Sequence, residues 1–433
     1  DMKPHARGVR PLADDHVTLY QSPDPERVWA YSPGLARLDS GRLVATIDLG
    51  GPGVVDLPGV KYARGEGGHS WQGKIFTSDD GGQTWVWRGD FPFMHARPFA
   101  LGDDLYVLGH AGDLMTMVSH DRGETWSQAA ALTDGELWHQ APSNVHYAND
   151  CVYLVMERRV SHHIQTWYVG EIAPVLMRGR VGSDLTLREN WTFASELTFS
   201  DVVRDVERDP DLEFFGVPFF PCPYPKGSIP AAGRNCAPIG WLETNVVQFV
   251  DPDHYWFDPL GATHHLWMRA HTGATGYAAV LKVVEEEAGK GKMTTGLETV
   301  PSGKKMLYVP CPGGQMKFHI LYDEETALYW LLSTQATDSM RRADRLPAGR
   351  YNLPNNERRR LQLHFSRNCI DWCFAGLVAI GPADNASRHY ASMVIDGRHL
   401  QVLSRSGDER AHDAHNGNLI TLHTIEDFRD LVY

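Results

Sequence analysis

Six short segments, each placed just ahead of a run of alternating apolar residues, collect the side chains able to move protons, bind anions or attack a substrate. They read Tyr31-Ser32-Pro33, His95-Ala96-Arg97-Pro98, Trp138-His139-Gln140, Glu243-Thr244-Asn245, Gly313-Gly314-Gln315 and Arg388-His389-Tyr390. A phenol has an unperturbed pKa of about 10, so it serves as a nucleophile near neutrality only where a carboxylate takes its proton. Guanidinium groups bind carboxylates bidentately, and imidazoles exchange protons near pH 7. Turns that only join strands have no need of this chemistry.

The elements that must position these segments follow from the pattern around them. Period-2 alternation of apolar residues marks six hairpins, at Gly34–Asp48, Arg97–His110, Ser143–Arg158, Asn245–His271, Gln315–Gln335 and His389–Gly407. Two copies of one motif, Ser78-x-Asp80-x-Gly82-x-Thr84-Trp85 and Ser119-x-Asp121-x-Gly123-x-Thr125-Trp126, predict tight turns in following hairpins. In such a turn the carboxylate caps backbone N–H groups, glycine supplies a positive φ and tryptophan packs under the next strand. Ser366-x-Asn368 followed by Trp372 is a shortened third copy. Each repeat therefore holds four strands, the signature of a propeller blade. The expected fold is all-β, a six-bladed β-propeller, with residues 1–433 as one propeller domain. The last repeat shows only three strands, and His16–Ser22 is expected to supply its fourth. A Pro/Gly/aromatic-rich insertion at about 200–240 is read as a loop over the central axis, with a degenerate seventh blade as the other reading.

The repeated Asp-containing turns and the lead-in segments resemble the sialidase (neuraminidase) superfamily over most of the chain. The resemblance implies a glycosidase, exo-acting on a carboxylate-bearing sugar of a glycan, and assigns roles by position. Tyr390, opening the inner strand of the last blade, stands where the family's nucleophile lies, and Glu243 stands where its base partner lies. Arg269, on the strand returning from Glu243, and Arg358, ahead of the third turn motif, match carboxylate-binding arginines. The family's first arginine, from an Arg-Ile-Pro sequence, is replaced here by Tyr31-Ser32-Pro33. Arg97 or Arg27 is the expected substitute, and Arg388, Tyr31 and Gln140 are further expected substrate contacts. For the acid/base the loop after the first hairpin offers Asp56, with Glu66 and His69 beside it.

Histidines open a second reading. His69, His95, His110, His139 and His146 fall in or near the first three repeats. A lyase on a uronic-acid glycan of rhamnose-glucuronate type needs a cation, a base and an acid, which Arg, His and Tyr supply, with His139 among the catalytic candidates. A non-catalytic carbohydrate-binding propeller is the third reading. No cofactor is expected. Metal ligation is suggested by His271, Cys311 and His319; adjacent His264 and His265 must face opposite sides of their strand.

Composition narrows the rest. The 433 residues are 42% hydrophobic, and 41 Gly and 26 Pro suit many short strands and turns. A net charge of −13 argues against nucleic acid as partner, and no run of about 18 apolar residues offers a membrane span. Six cysteines are too few for a disulfide scaffold, with Cys222 and Cys236 the one plausible pair. The chain opens at Asp1 without an initiator Met, read as a trimmed exported protein, secreted or periplasmic. Oligomeric state is left open by the sequence.

Overall fold

In every blade the second strand is buried on both faces along nearly its whole length. That pattern demands cover on both sides, which flanking blades provide. The computed structural model describes residues 8–164, 167–203, 212–213, 240–271, 276–339, 341, 345 and 357–433. Its strands form a six-bladed β-propeller.

Blade I comprises Trp29–Arg37, Leu43–Gly50, Gln72–Ser78 and Val86–Phe91, and blade II Met94–Leu101, Asp104–Ala111, Asp113–Ser119 and Ala130–Ala131. Blade III pairs Trp138–His139 and His146–Ala148 with Cys151–Arg159, then adds Ile172–Arg180 and Trp191–Phe193. Blade IV runs Gly240–Val247, Thr263–His271, Tyr277–Glu287 and Lys290–Gly296, and blade V His319–Asp323, Leu328–Thr334, Arg360–Ser366 and Cys373–Ile380. Blade VI has Arg388–Asp396, His399–Ser406 and Leu419–Ile425, completed by Val17–Gln21 from near the other end of the chain. All six expected hairpins and the closing strand are therefore present. The segment expected at about 200–240 lies mostly outside the described residues; within it are part of the short helix Phe199–Val203 and the strand Leu212–Glu213, which pairs with Lys305–Met306 in a small separate sheet. Cys222 and Cys236 lie outside the described residues.

The core shows how strand alternation builds the ring. Val44 packs with Leu105 and Val107 of blade II, while its neighbours Leu43 and Ala45 pack with Leu403 and Ile420 of blade VI. Tyr106 and Leu108 turn the other way, onto Val152 and Leu154 of blade III. Tyr153 and Val155 then meet Trp241 and Leu242 of blade IV. The same rule joins blades IV and V, then V and VI. Each fully buried aliphatic side chain at these seams contributes about 1.5–3 kcal/mol.

The turn motifs behave as their residues dictate. Asp80 Oδ1 accepts from Thr84 N–H at 2.9 Å, Ser78 Oγ accepts from Gly82 N–H at 2.9 Å, and Trp85 Nε1 donates to Gly82 O at 3.0 Å. Gly82 has φ +87°, and a Cβ there would lie 2.1 Å from Leu422 Cδ2 of blade VI. In the shortened copy Asn368 Oδ1 accepts from the N–H groups of Ile370 and Asp371, and Cys369 takes the left-handed conformation with φ +61°.

Candidate active site

The inner strands of blades I, II, IV and VI share one irregularity. Each carries a two-residue bulge, at Ser32-Pro33, His95-Ala96, Glu243-Thr244 and Tyr390-Ala391. The first residue of every bulge has positive φ, at +28°, +53°, +61° and +47° respectively. A non-glycine residue in that region costs of order 1–3 kcal/mol, and for a residue as bulky as Tyr390 it is a marked outlier. All four side chains line one cavity of about 880 Å³. The bulge re-aims each of them out of the strand's alternation.

Every bulge is held by the blade before it. The carbonyl of its second residue accepts a side-chain donor: Thr46 Oγ1 to Ala96 O at 2.6 Å, Gln140 Nε2 to Thr244 O at 3.0 Å, Lys317 Nζ to Ala391 O at 2.5 Å, and Ser392 Oγ to Pro33 O at 2.8 Å. Gln140 is thus a clamp for the Glu243 bulge rather than an expected substrate contact, and it does not line the cavity.

A second ring lies on the returning strands. The residues registered opposite the position just before each bulge are Asp48, His110, Arg269 and Arg405. His110, Arg269 and Arg405 line the cavity. Asp48, fully buried, accepts from His95 N–H at 2.8 Å, and burial raises its pKa well above the usual range.

Around Tyr390 the expected constellation is assembled. Tyr390 donates to Glu243 Oε1 at 2.5 Å, and Arg269 Nη1 donates to Tyr390 Oη at 2.9 Å and to Glu243 Oε2 at 3.3 Å. Arg269 is oriented by Gln315 O at 2.8 Å. Arg358 and Arg405 place their guanidinium carbons 5.7 and 4.8 Å from the Tyr390 ring. Arg358 also donates to His389 Nδ1 at 3.1 Å. Burial, reinforced by the Glu243 charge, raises the Tyr390 pKa to about 12 against the pull of the three arginines. The resting group is therefore a phenol whose hydrogen bond points at Glu243.

Several other expectations are corrected. Arg97 turns into the protein, donating to Asn144 O at 3.0 Å and Val155 O at 2.8 Å, and does not reach the cavity. Burial, opposed by Glu157, lowers its pKa to about 9. Arg388 donates to Gly407 O at 2.7 Å and likewise lies off the cavity. Arg27 and Asp56 pair with each other at 2.9 Å, both more than half exposed, so neither the substitute arginine nor the acid/base is there. The third arginine of the site is Arg405, which the sequence reading missed; the return-strand position that identified Arg269 in blade IV identifies Arg405 in blade VI. Tyr31 does line the cavity, donating to Asn416 Oδ1, with the Arg405 guanidinium 4.3 Å from its ring.

The metal candidates do not converge. His271 lines the cavity, Cys311 is buried between blades IV and V, and His319 Nδ1 accepts from Met393 N–H at 3.2 Å. His264 meets Glu285 at 3.3 Å and His265 meets Glu298 at 2.6 Å on opposite faces of their strand. A different group does come together in the cavity wall, from Glu66, His95, His110 and His139. His95 Nδ1 lies 2.9 Å from His110 Nε2, and His139 Nε2 lies 2.9 Å from Glu66 Oε1. Burial lowers the His95 pKa to about 3. Burial disfavours the His139 cation too, but Glu66 and Glu157 outweigh it and raise its pKa to about 10.

No protein-family model and no curated protein matches the chain. Solved structures do. The Hadza microbial sialidase Hz136 is 12% identical with a TM-score of 0.52, covering 96% of this chain and 69% of its own. The NanB sialidase from Streptococcus pneumoniae is 11% identical with a TM-score of 0.52, covering 96% and 71%. A protein of unknown function from Dyadobacter fermentans is 11% identical with a TM-score of 0.52, covering 97% and 99%. At these identities the likeness establishes the fold: the chain is a six-bladed propeller of the kind on which sialidases are built.

Proposed function

We propose that the protein is a glycoside hydrolase acting on a carboxylate-bearing sugar, with Tyr390 as nucleophile and Glu243 as its base. The observation that carries this reading is the 2.5 Å hydrogen bond from Tyr390 to Glu243, with Arg269 donating to the same phenol oxygen at 2.9 Å. As the phenol attacks the anomeric carbon its proton passes to Glu243, and Arg269 stabilises the charge developing on Oη. A neutral phenol also meets no repulsion from an anionic sugar, as a carboxylate nucleophile would. Arg358 and Arg405, with Arg269, supply the cationic wall that would take the sugar carboxylate. His139, held as a cation by Glu66, would donate its proton to the leaving oxygen as the glycosidic bond breaks; water, giving a proton to His139, would then cleave the sugar–Tyr390 bond as Glu243 returns its proton to the phenol. The sialidase likeness adds a precedent at the level of fold alone.

The test is hydrolysis of aryl glycosides of sialic acid and of uronic acids, beside their neutral counterparts. Turnover of an acidic glycoside, a mass increase on Tyr390 with a fluorinated analogue, and its absence in Tyr390→Phe are expected. Glu243→Gln should cost roughly 10²-fold or more in kcat. Cleavage of a uronic-acid polymer with an unsaturated, ultraviolet-absorbing product would instead support the lyase reading, which the meeting of His95, His110 and His139 in the same cavity favours. Binding of acidic glycans without turnover would leave a carbohydrate-binding propeller.

A further inference from the structure

Three residues of the cavity wall come from three separate elements yet present ligand atoms to one point. One nitrogen each of His95 and His139 and one carboxylate oxygen of Glu66 lie within 4.8 Å of one another. His95 sits at the strained bulge of blade II and His139 on the short inner strand of blade III. Glu66 is on the loop between Tyr62 and Trp71, whose ends are tied by paired backbone hydrogen bonds of 2.8 Å and whose Glu66 carbonyl accepts from Trp71 Nε1 at 2.9 Å. These contacts hold the loop at its ends and at the Glu66 backbone.

In the metal-free chain Glu66 Oε1 lies 2.9 Å from His139 Nε2, an ion pair whose shared proton a metal ion would replace. His139 Nδ1 and Glu157 Oε2 are buried 3.7 Å apart. Behind the group stand partners of the type that orient metal-bound imidazoles: His110 Nε2 is 2.9 Å from His95 Nδ1, and Glu157, itself held by Thr244 Oγ1 at 3.0 Å, faces His139 Nδ1.

We propose that Glu66, His95 and His139 form a binding site for a divalent ion of the zinc class, with its remaining coordination position open to the cavity. Two imidazoles and a carboxylate are the donor set for such an ion, whereas calcium and magnesium take oxygen ligands. Ligands about 2.0–2.1 Å from a tetrahedral zinc stand about 3.4 Å apart, so the present spread closes with side-chain shifts of about 1 Å. All three residues line the cavity that holds Tyr390, so the open position would bind an oxygen of water or of a sugar hydroxyl or carboxylate. This site stands independently of the role given to Tyr390.

The full chain, free of any affinity tag and stripped with a chelator, would be titrated with Zn²⁺ by calorimetry and assayed for metal by mass spectrometry. One ion per chain is expected, with a higher thermal midpoint in its presence and, with Co²⁺ instead, a visible absorption band of nitrogen and oxygen ligation. Glu66→Gln and His139→Gln should each weaken binding at least roughly tenfold, whereas His120→Gln, at an exposed histidine paired with Asp104, should not. Circular dichroism of the metal-free variants separates loss of the site from loss of the fold. Failure of the folded wild type to take up Zn²⁺, or equal uptake by a folded Glu66→Gln/His139→Gln double variant, would overturn the site and leave a buried ion pair. Labelling of Tyr390 by a fluorinated analogue is read separately, so the nucleophile and the metal site can fail independently.

Discussion

At the scale of single residues, the site is a set of groups whose ordinary properties are changed by burial. Arg405 separates carboxylate recognition from the chemical step. If it binds the sugar carboxylate, Arg405→Met should lose about 1.5–3 kcal/mol of binding, roughly a tenfold to hundredfold rise in KM for an acidic aryl glycoside, with a neutral analogue little changed. Lys317 tests the electrostatics below Glu243. Burial, opposed by Glu243 and aided by Arg97, lowers its pKa to about 7 from 10.5. Between those values the unfolded chain binds more protons at this position than the folded one, so the lysine's contribution rises with pH across that window. The thermal midpoint of wild type relative to Lys317→Met should accordingly climb from pH 7 to pH 10 and flatten below pH 7; a difference independent of pH would refute the shifted lysine. Much of this scale was readable beforehand. Glu243, Arg269, Arg358 and Tyr390, which the sialidase resemblance picks out, line one cavity. Arg97 and Arg388 were misplaced because proximity in sequence to a strand start says nothing of which way a side chain leaves the strand, and here the bulges decide that; Asp56, in the loop after Leu43–Gly50, pairs at the surface with Arg27.

The element that matters most is the bulge with its clamp. A carbonyl released from the strand ladder and buried needs a donor, and leaving it unmet costs about 1–3 kcal/mol. Gln140→Ala should therefore lower stability by that amount and also reduce kcat, because Thr244 would no longer fix Glu243 against Tyr390. Recovery of stability but not of kcat in a second-site stabilised background would show that positioning, not folding, is what Gln140 provides to catalysis. The turn motifs make the complementary case, structure without chemistry. In Gly82→Ala the new Cβ would meet Leu422 of blade VI in a left-handed turn, an overpacking that costs about 1–3 kcal/mol and lowers the unfolding midpoint while leaving KM unchanged. Turns and hairpins were legible because alternation and the Ser-x-Asp-x-Gly-x-Thr-Trp pattern are local. The clamps were not, since each joins residues that only the closed ring brings together.

At the scale of the whole molecule, Val17–Gln21 pairs with Leu419–Leu422 to complete blade VI, and upstream of it Leu12 and Ala13 donate backbone hydrogen bonds to Leu377 and Val378 of blade V. Removing residues through Ser22 should expose the edge of Leu419–Ile425, lower the unfolding midpoint by several degrees or more and open blade VI to limited proteolysis. Retention of the wild-type midpoint would show that the ring does not depend on this closure. The four clamps carry a related consequence. They cross from blade I to II, III to IV, V to VI and VI to I, so a reactive side chain is aimed by its neighbour rather than by its own blade. The joints from II to III and from IV to V carry no such bulge clamp among the described residues. New chain ends engineered at the II–III joint should thus spare catalytic geometry, whereas ends placed between Gln140 and Glu243 would turn the aim of Glu243 into a contact between distant termini, visible as lost turnover in a permutant that still folds.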